Sequence, residues 1–145
     1  MKRTLCTLAL LTAGAAFAQA NPVGLWKTID DETKAEKSYV RVVEAGGVFT
    51  AKVEKILDPA KADAKCDKCS DDRKDKPMLG LEIIRGAKKA EGKDVWEDGK
   101  ILDPESGRNY SLRLTPIEGG AKLEVRGSIA FIGRTQTWVR VSAQP

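Results

Sequence analysis

The stretch KCDKCSDDRKDK, residues 65–76, sets Cys66 and Cys69 three apart in the most charged part of the chain. Such a pair can act as a thiol redox couple, supply half of a metal site, or close on itself as a disulfide. Redox catalysis asks for a cysteine at a helix N-terminus, where the thiol pKa falls. Here Ser70, Asp71 and Asp72 follow directly, and their carboxylates oppose thiolate formation. Zinc asks for four ligands, and the chain has neither a second C-x-x-C nor any histidine. A local Cys66–Cys69 disulfide is the leading expectation. A thiol role and an unusual site assisted by Asp67, Asp71 and Asp72 are the alternatives, and no metal or cofactor is assigned. Closing so short a loop contributes only about 2 kcal/mol on a chain-entropy basis, enough to shape a loop rather than hold a domain.

The absence of histidine also removes the commonest general base and the Ser-His and Cys-His nucleophile pairs. Carboxylates are the remaining catalysts, with Asp103 and Glu105 flanking Pro104 and Glu82 and Glu124 on predicted strands. No aromatic platform surrounds them, and a turn role accounts for Asp103 unaided. A non-catalytic protein is therefore expected, with hydrolysis and thiol redox as minor alternatives.

The N-terminal segment MKRTLCTLALLTAGAAFAQA opens with Lys2 and Arg3, runs apolar from Leu5 to Phe17 and ends in Ala18-Gln19-Ala20. This is the pattern of a cleaved secretory signal over residues 1–20, and its apolar run is short of the roughly 20 residues a spanning helix needs. Export to the periplasm or beyond is expected, followed by one soluble, monomeric domain over residues 21–145. Loss of Lys2 and Arg3 lowers the formal net charge from +4 to +2, and the basic residues are interleaved with acids. Nucleic acid is not an expected partner.

After residue 20 the chain is a string of β-forming segments separated by turn residues, with no helical periodicity sustained over three turns. Strands are predicted over 24–29, 38–44, 48–57, 79–86, 95–103, 109–115, 122–129 and 131–141. Ala45-Gly46-Gly47 makes the first hairpin turn, and Asp103-Pro104-Glu105-Ser106-Gly107 a later one. Residues 58–77, which hold both cysteines, form one long loop. Residues 95–103 read either as one strand bulged at Gly99 or as two arms about Asp98-Gly99. About eight consecutive antiparallel strands favour a closed up-and-down barrel, with a two-sheet sandwich as the alternative.

Gly24-Leu25-Trp26 on the first strand and Arg140 on the last, two residues after Trp138, resemble the lipocalin and fatty-acid-binding group of barrels. In that group a Gly-x-Trp is covered by a basic side chain from the last strand, a cation-π contact that seals one end. The wider pattern GLWKT, CDKC, KPMLGLEII, GKILDPESGRNY, LEVRGSI and GRTQTWVR is similar to domain-of-unknown-function family 2147, small exported bacterial proteins, over residues 22–141. That resemblance implies a single envelope-facing β domain and no particular substrate.

Function is then expected in the barrel interior: a binding module for a small apolar or amphipathic ligand. The alternative is an envelope accessory protein that binds a macromolecule. Tyr39, Phe49, Leu81 and Leu112 are the candidate cavity wall. Strand parity places Arg41 with Tyr39 and Val43, and Arg85 with Leu81 and Ile83, so Arg41 and Arg85 are candidates for an inward guanidinium that holds an acidic head group. A connected cavity of roughly 300 Å³ or more would favour the ligand, and a filled core with an exposed apolar patch a protein partner.

Overall fold

A computed structural model of the protein describes residues 20–141; the expected signal segment, apart from Ala20, lies outside the described residues. Nine strands form one antiparallel sheet: β1 Gly24–Ile29, β2 Glu36–Ala45, β3 Val48–Ile56, β4 Glu82–Lys89, β5 Trp96–Glu97, β6 Lys100–Asp103, β7 Arg108–Ile117, β8 Lys122–Ile129 and β9 Ile132–Arg140. Strands pair in sequence order, with β5 and β6 sharing one place between β4 and β7, and β1 closes the sheet on β9 through Trp26 opposite Arg140 and Lys27 opposite Val139. Closure leaves no open edge, which settles barrel against sandwich.

Segment 95–103 occupies one place in the barrel wall. Both β5 and β6 pair with β4 on one side and β7 on the other. The break between them is a bulge at Asp98, with φ of 66°, and Gly99. A side chain at Gly99 would meet the backbone of Arg85 and Ala87 at 2.7 Å, so glycine is what lets β4 pass so closely. The barrel therefore has eight strand positions.

The inward residues change character along the barrel axis. Toward one end, on β1, β2, β8 and β9, they are Trp26, Val42, Leu123 and Trp138, all buried. Toward the other end the same inward series continue to Thr28, Ser38, Gly127 and Gln136. Side chains on one face of a strand recur every second residue, so this drop in bulk falls on one side of the interior. The core fills the first end and leaves space at the second.

Strand β4 begins three residues later than predicted. Gly80 takes φ of 84°, and Leu79 remains in the loop, half exposed. The connection between the strands predicted over 79–86 and 95–103 is shorter than that spacing, because Lys88 and Lys89 continue the strand opposite Glu97 and Trp96. Both lysines are exposed at the end of the strand, with Lys89 reaching over the Trp96 ring at 5.8 Å, so a lysine-rich stretch here marks a strand end rather than a turn.

Candidate functional site

The filled end is sealed as the Gly-x-Trp pattern suggests. Trp26 is fully buried and its indole N–H donates to the Pro22 carbonyl at 2.8 Å. The Arg140 guanidinium lies 4.2 Å from the Trp26 ring centroid. It donates to the carbonyls of Gly120, Val23 and Asn21 at 2.6, 2.8 and 2.8 Å, tying three chain segments together. Burial pulls its pKa below the ordinary arginine value. Gly24 sits at φ of 138°, and a side chain there would meet Arg140 Nη1 at 2.5 Å. The glycine of the motif is thus the space that the guanidinium occupies.

At the opposite end a cavity of about 410 Å³ enters the barrel. Its wall is apolar at depth, with Val53, Ile83, Ile101, Val125 and Trp138. Thr28 and Ser38 line it as a hydroxyl pair 2.7 Å apart, and Gln136 accepts from the Trp138 indole at 3.3 Å. Gly127 keeps room beside Tyr110, whose Cβ would lie 3.2 Å from an added methyl group.

Charge is confined to the mouth. Lys37 of β2 contacts Glu105 at 3.3 Å, and Glu105 also receives Lys61 at 2.8 Å. The lysines, Lys61 foremost, hold the Glu105 carboxyl below its ordinary pKa. Arg134, on the cavity wall, pairs with Asp31 of the β1–β2 loop at 3.0 Å. Asp103 is occupied by its own turn, accepting from the Glu105 backbone at 3.0 Å and the Ser106 hydroxyl at 2.8 Å.

The long loop, residues 57–81, lies against the turn that carries Pro104 of the cavity wall, and its Lys61 reaches Glu105 there. Cys66 and Cys69 form a disulfide, and both are buried within the main core cluster. The loop carries its own backbone bonds, from Cys66 to Lys76 and from Met78 to Ala64 among them, and one 3-10 turn at Pro59–Lys61. Arg73 is buried to 4 % exposure and donates to Asp71, to the Glu82 carbonyl and to Asn109. Its guanidinium holds the Asp71 carboxyl far below the carboxylate range. A side chain at Gly107 would overlap the Lys68 carbonyl, so the loop backbone rests directly on the β6–β7 turn.

None of the six wall and head-group candidates lines the cavity. Tyr39 and Arg41 lie on the outer face, where Lys55 sits 5.8 Å from the Tyr39 ring and Arg41 pairs with Glu54. Strand β2 is apolar on both faces, and Val40 and Val42, fully buried, take the interior. Arg85 is outside as well, bonded to Glu82 and, at 2.8 Å, to Asp72. The cause is a bulge: Ala51 faces Ile84 while Lys52 faces Glu82, so Ile83 is an extra residue and the parity of β4 changes. Phe49 and Leu112 point inward but deeper, with Phe49 edge-on to Trp96 at 5.9 Å. Leu81, the last residue of the long loop, is buried in the core cluster. Counting in twos from the two end tryptophans, to Thr28 and to Gln136, Arg134 and Ile132, would have found part of the true wall.

A closed antiparallel barrel sealed by tryptophan and arginine at one end, with an open calyx at the other, defines a lipocalin-like protein. The structure is similar to that of protein HP1028 from the human pathogen Helicobacter pylori, described as belonging to the lipocalin family. The TM-score is 0.71 at 25 % identity, over 83 % of this chain and 82 % of that one. The chain belongs to the family described as "Uncharacterized protein conserved in bacteria (DUF2147)", which matches residues 24–140. No curated protein matches it. Among the described residues no helix is long and apolar enough to cross a membrane.

Proposed function

We propose that this protein is a non-catalytic binding module of the bacterial envelope for a small amphiphile with an anionic head group. The carrying observation is the one-ended cavity of about 410 Å³, apolar at depth and ringed at its mouth by the ion-paired cations Lys37 and Arg134. Its volume lies within the roughly 300–1,000 Å³ typical of small-molecule sites. An apolar tail would lie against Val53, Ile83, Val125 and Trp138. The head group would meet Lys37 and Arg134 in place of their present partners, Glu105 and Asp31. An exchange of one carboxylate for another conserves charge pairing, which favours an acidic head over a neutral one.

A non-catalytic role is supported by the state of the carboxylates near the cavity. Asp103 is satisfied by its turn and Glu105 by two lysines. Envelope location is supported by the disulfide and by the charged-apolar pattern of residues 1–20.

Titration with dodecanoate, followed by amide NMR, tests the proposal. Shifts are expected for Val53, Ile83, Val125 and Trp138, together with a change in tryptophan fluorescence. An unchanged spectrum at millimolar dodecanoate would remove the proposal.

A further inference from the structure

The β8–β9 hairpin carries an apolar tip that projects past the cavity. Ile129 faces Ile132 across the hairpin, leaving Ala130-Phe131 as a two-residue loop. Two-residue hairpin loops favour Asn-Gly, Asp-Gly or a leading glycine, because they require positive φ. Here alanine holds φ of 52°, and the residue after it is phenylalanine. The turn thus carries a conformational cost and places an apolar ring where a polar residue would fold more easily. Phe131 is 104 % exposed, Ile132 82 % and Ile129 47 %. Isolated exposed apolar residues are ordinary on any surface, but three within four consecutive positions at one tip are not scatter.

Charge bracketing the tip says what it fits. Between Val125 and Val141 the chain has no acid, and Arg126 and Arg134 flank the apolar residues. The Arg126 guanidinium lies over Gly133, which has no side chain to displace it, and donates to the Thr135 hydroxyl at 3.3 Å. Among the described residues it has no carboxylate partner. Of the three acids in the adjoining loop, Asp30 accepts from the Glu32 and Thr33 backbone, Asp31 holds Arg134, and Glu32 is exposed to solvent. At about 3.3 Å of strand rise per residue, Arg134 lies roughly 10 Å and Arg126 roughly 15 Å from the tip. An apolar element resting about 5–10 Å into a bilayer surface would place both at the level of the lipid head groups.

From this geometry we propose that the β8–β9 tip docks the protein on an anionic lipid surface. Ile129 and Ile132 lie on the inward side of their strands, and Ile132 lines the cavity, so the tip extends the cavity wall beyond the rim. Docking sets the mouth against the lipid. The proposal goes beyond ligand binding and holds whether or not the cavity is occupied.

The chain from Ala20 onward, which contains the whole closed barrel, is sedimented with vesicles of phosphatidylcholine alone or mixed with phosphatidylglycerol. Binding to the mixed vesicles is expected to exceed that to neutral ones by about tenfold or more and to weaken with salt. The double substitution Phe131→Ser, Ile132→Ser is expected to reduce it about a hundredfold, with near-ultraviolet circular dichroism unchanged. Arg126→Ser should erase much of the preference for phosphatidylglycerol. As an independent readout, Phe131→Trp should show a blue shift in emission when mixed vesicles are added. Absence of wild-type binding to mixed vesicles, undiminished binding by the double variant, or no spectral shift would overturn the proposal. So would self-association abolished by the double substitution, which would give the tip to a second copy of the chain.

Discussion

The two ends of this barrel are made from the same strands by opposite means. At the sealed end bulky aromatics fill the interior, and one arginine is spent on backbone carbonyls and an indole ring. At the open end hydroxyls, a glycine and an amide line the interior, and charges pair across the rim with side chains exposed to water. Buried, many-partnered contacts stabilise, whereas exposed ion pairs contribute little. The first end should therefore determine stability and the second, binding.

The strongest test of that division is the seal. Trp26→Ala should cost about 3–5 kcal/mol in urea unfolding, as a large buried aromatic does. Arg140→Ala should cost about 2 kcal/mol, because three carbonyls lose their donor. The double variant should cost less than the sum by at least about 0.5 kcal/mol, and simple additivity would show that the two side chains do not act together.

A middle-sized effect is expected from the loop beside the mouth. Replacing Cys66 and Cys69 by serine should cost about 2 kcal/mol and raise amide exchange over residues 64–78 while the barrel amides remain protected. Loss of protection throughout the barrel would make the loop part of the seal's cooperative unit.

The cavity should be nearly silent in stability. Ser38→Phe, which places a ring in the empty space, should change it by less than about 1.5 kcal/mol while abolishing dodecanoate binding in calorimetry. Lys37→Met should change stability by less than about 0.5 kcal/mol and weaken dodecanoate binding about tenfold, but not dodecanol binding. Equal weakening of both ligands would place the head group elsewhere.

Acid gives the smallest and most local test. The Asp71 and Glu105 carboxyls are both held below their ordinary pKa values in the folded protein, by Arg73 and by Lys61 with Lys37. Each contributes stability above its unfolded-state pKa, and that contribution is lost as pH falls through the depressed folded value. Asp71 is depressed much further. On acidification, carboxyl carbon shifts in NMR should show Glu105 protonating first, with the loop still docked through Arg73. The reverse order would contradict the assigned partners.

The contrast also separates what was legible in the sequence from what was not. Sealing is written in residue types: Gly24, Trp26 and Arg140 are conspicuous, and their spacing on the first and last strands indicated that end of the barrel. Closure followed from eight β segments joined by recognisable turns. The cavity was less legible because it is defined by what is missing, namely the bulk that Thr28, Ser38 and Gly127 do not supply. Parity failed at Arg85 because Ile83 is an inserted residue in β4, and bulges leave no mark in apolar sequence. Tyr39 and Arg41 misled because β2 offers apolar residues on both faces. Arg73 looked like one charge among many in the run 65–76, although it is the buried one.

The contact between the Lys68 carbonyl and Gly107 fixes the long loop against the β6–β7 turn, which carries Pro104 of the cavity wall. Backbone meets backbone there, next to a cross-link, so that arc of the wall has no side chain to swing aside and no spare length to yield. The remaining arc, where Arg134 reaches Asp31 below the Phe131 tip, is hinged only by side chains. A guest too wide for the opening would have to gain its room from that side, much as a jar with one welded rim widens only where the rim is clipped.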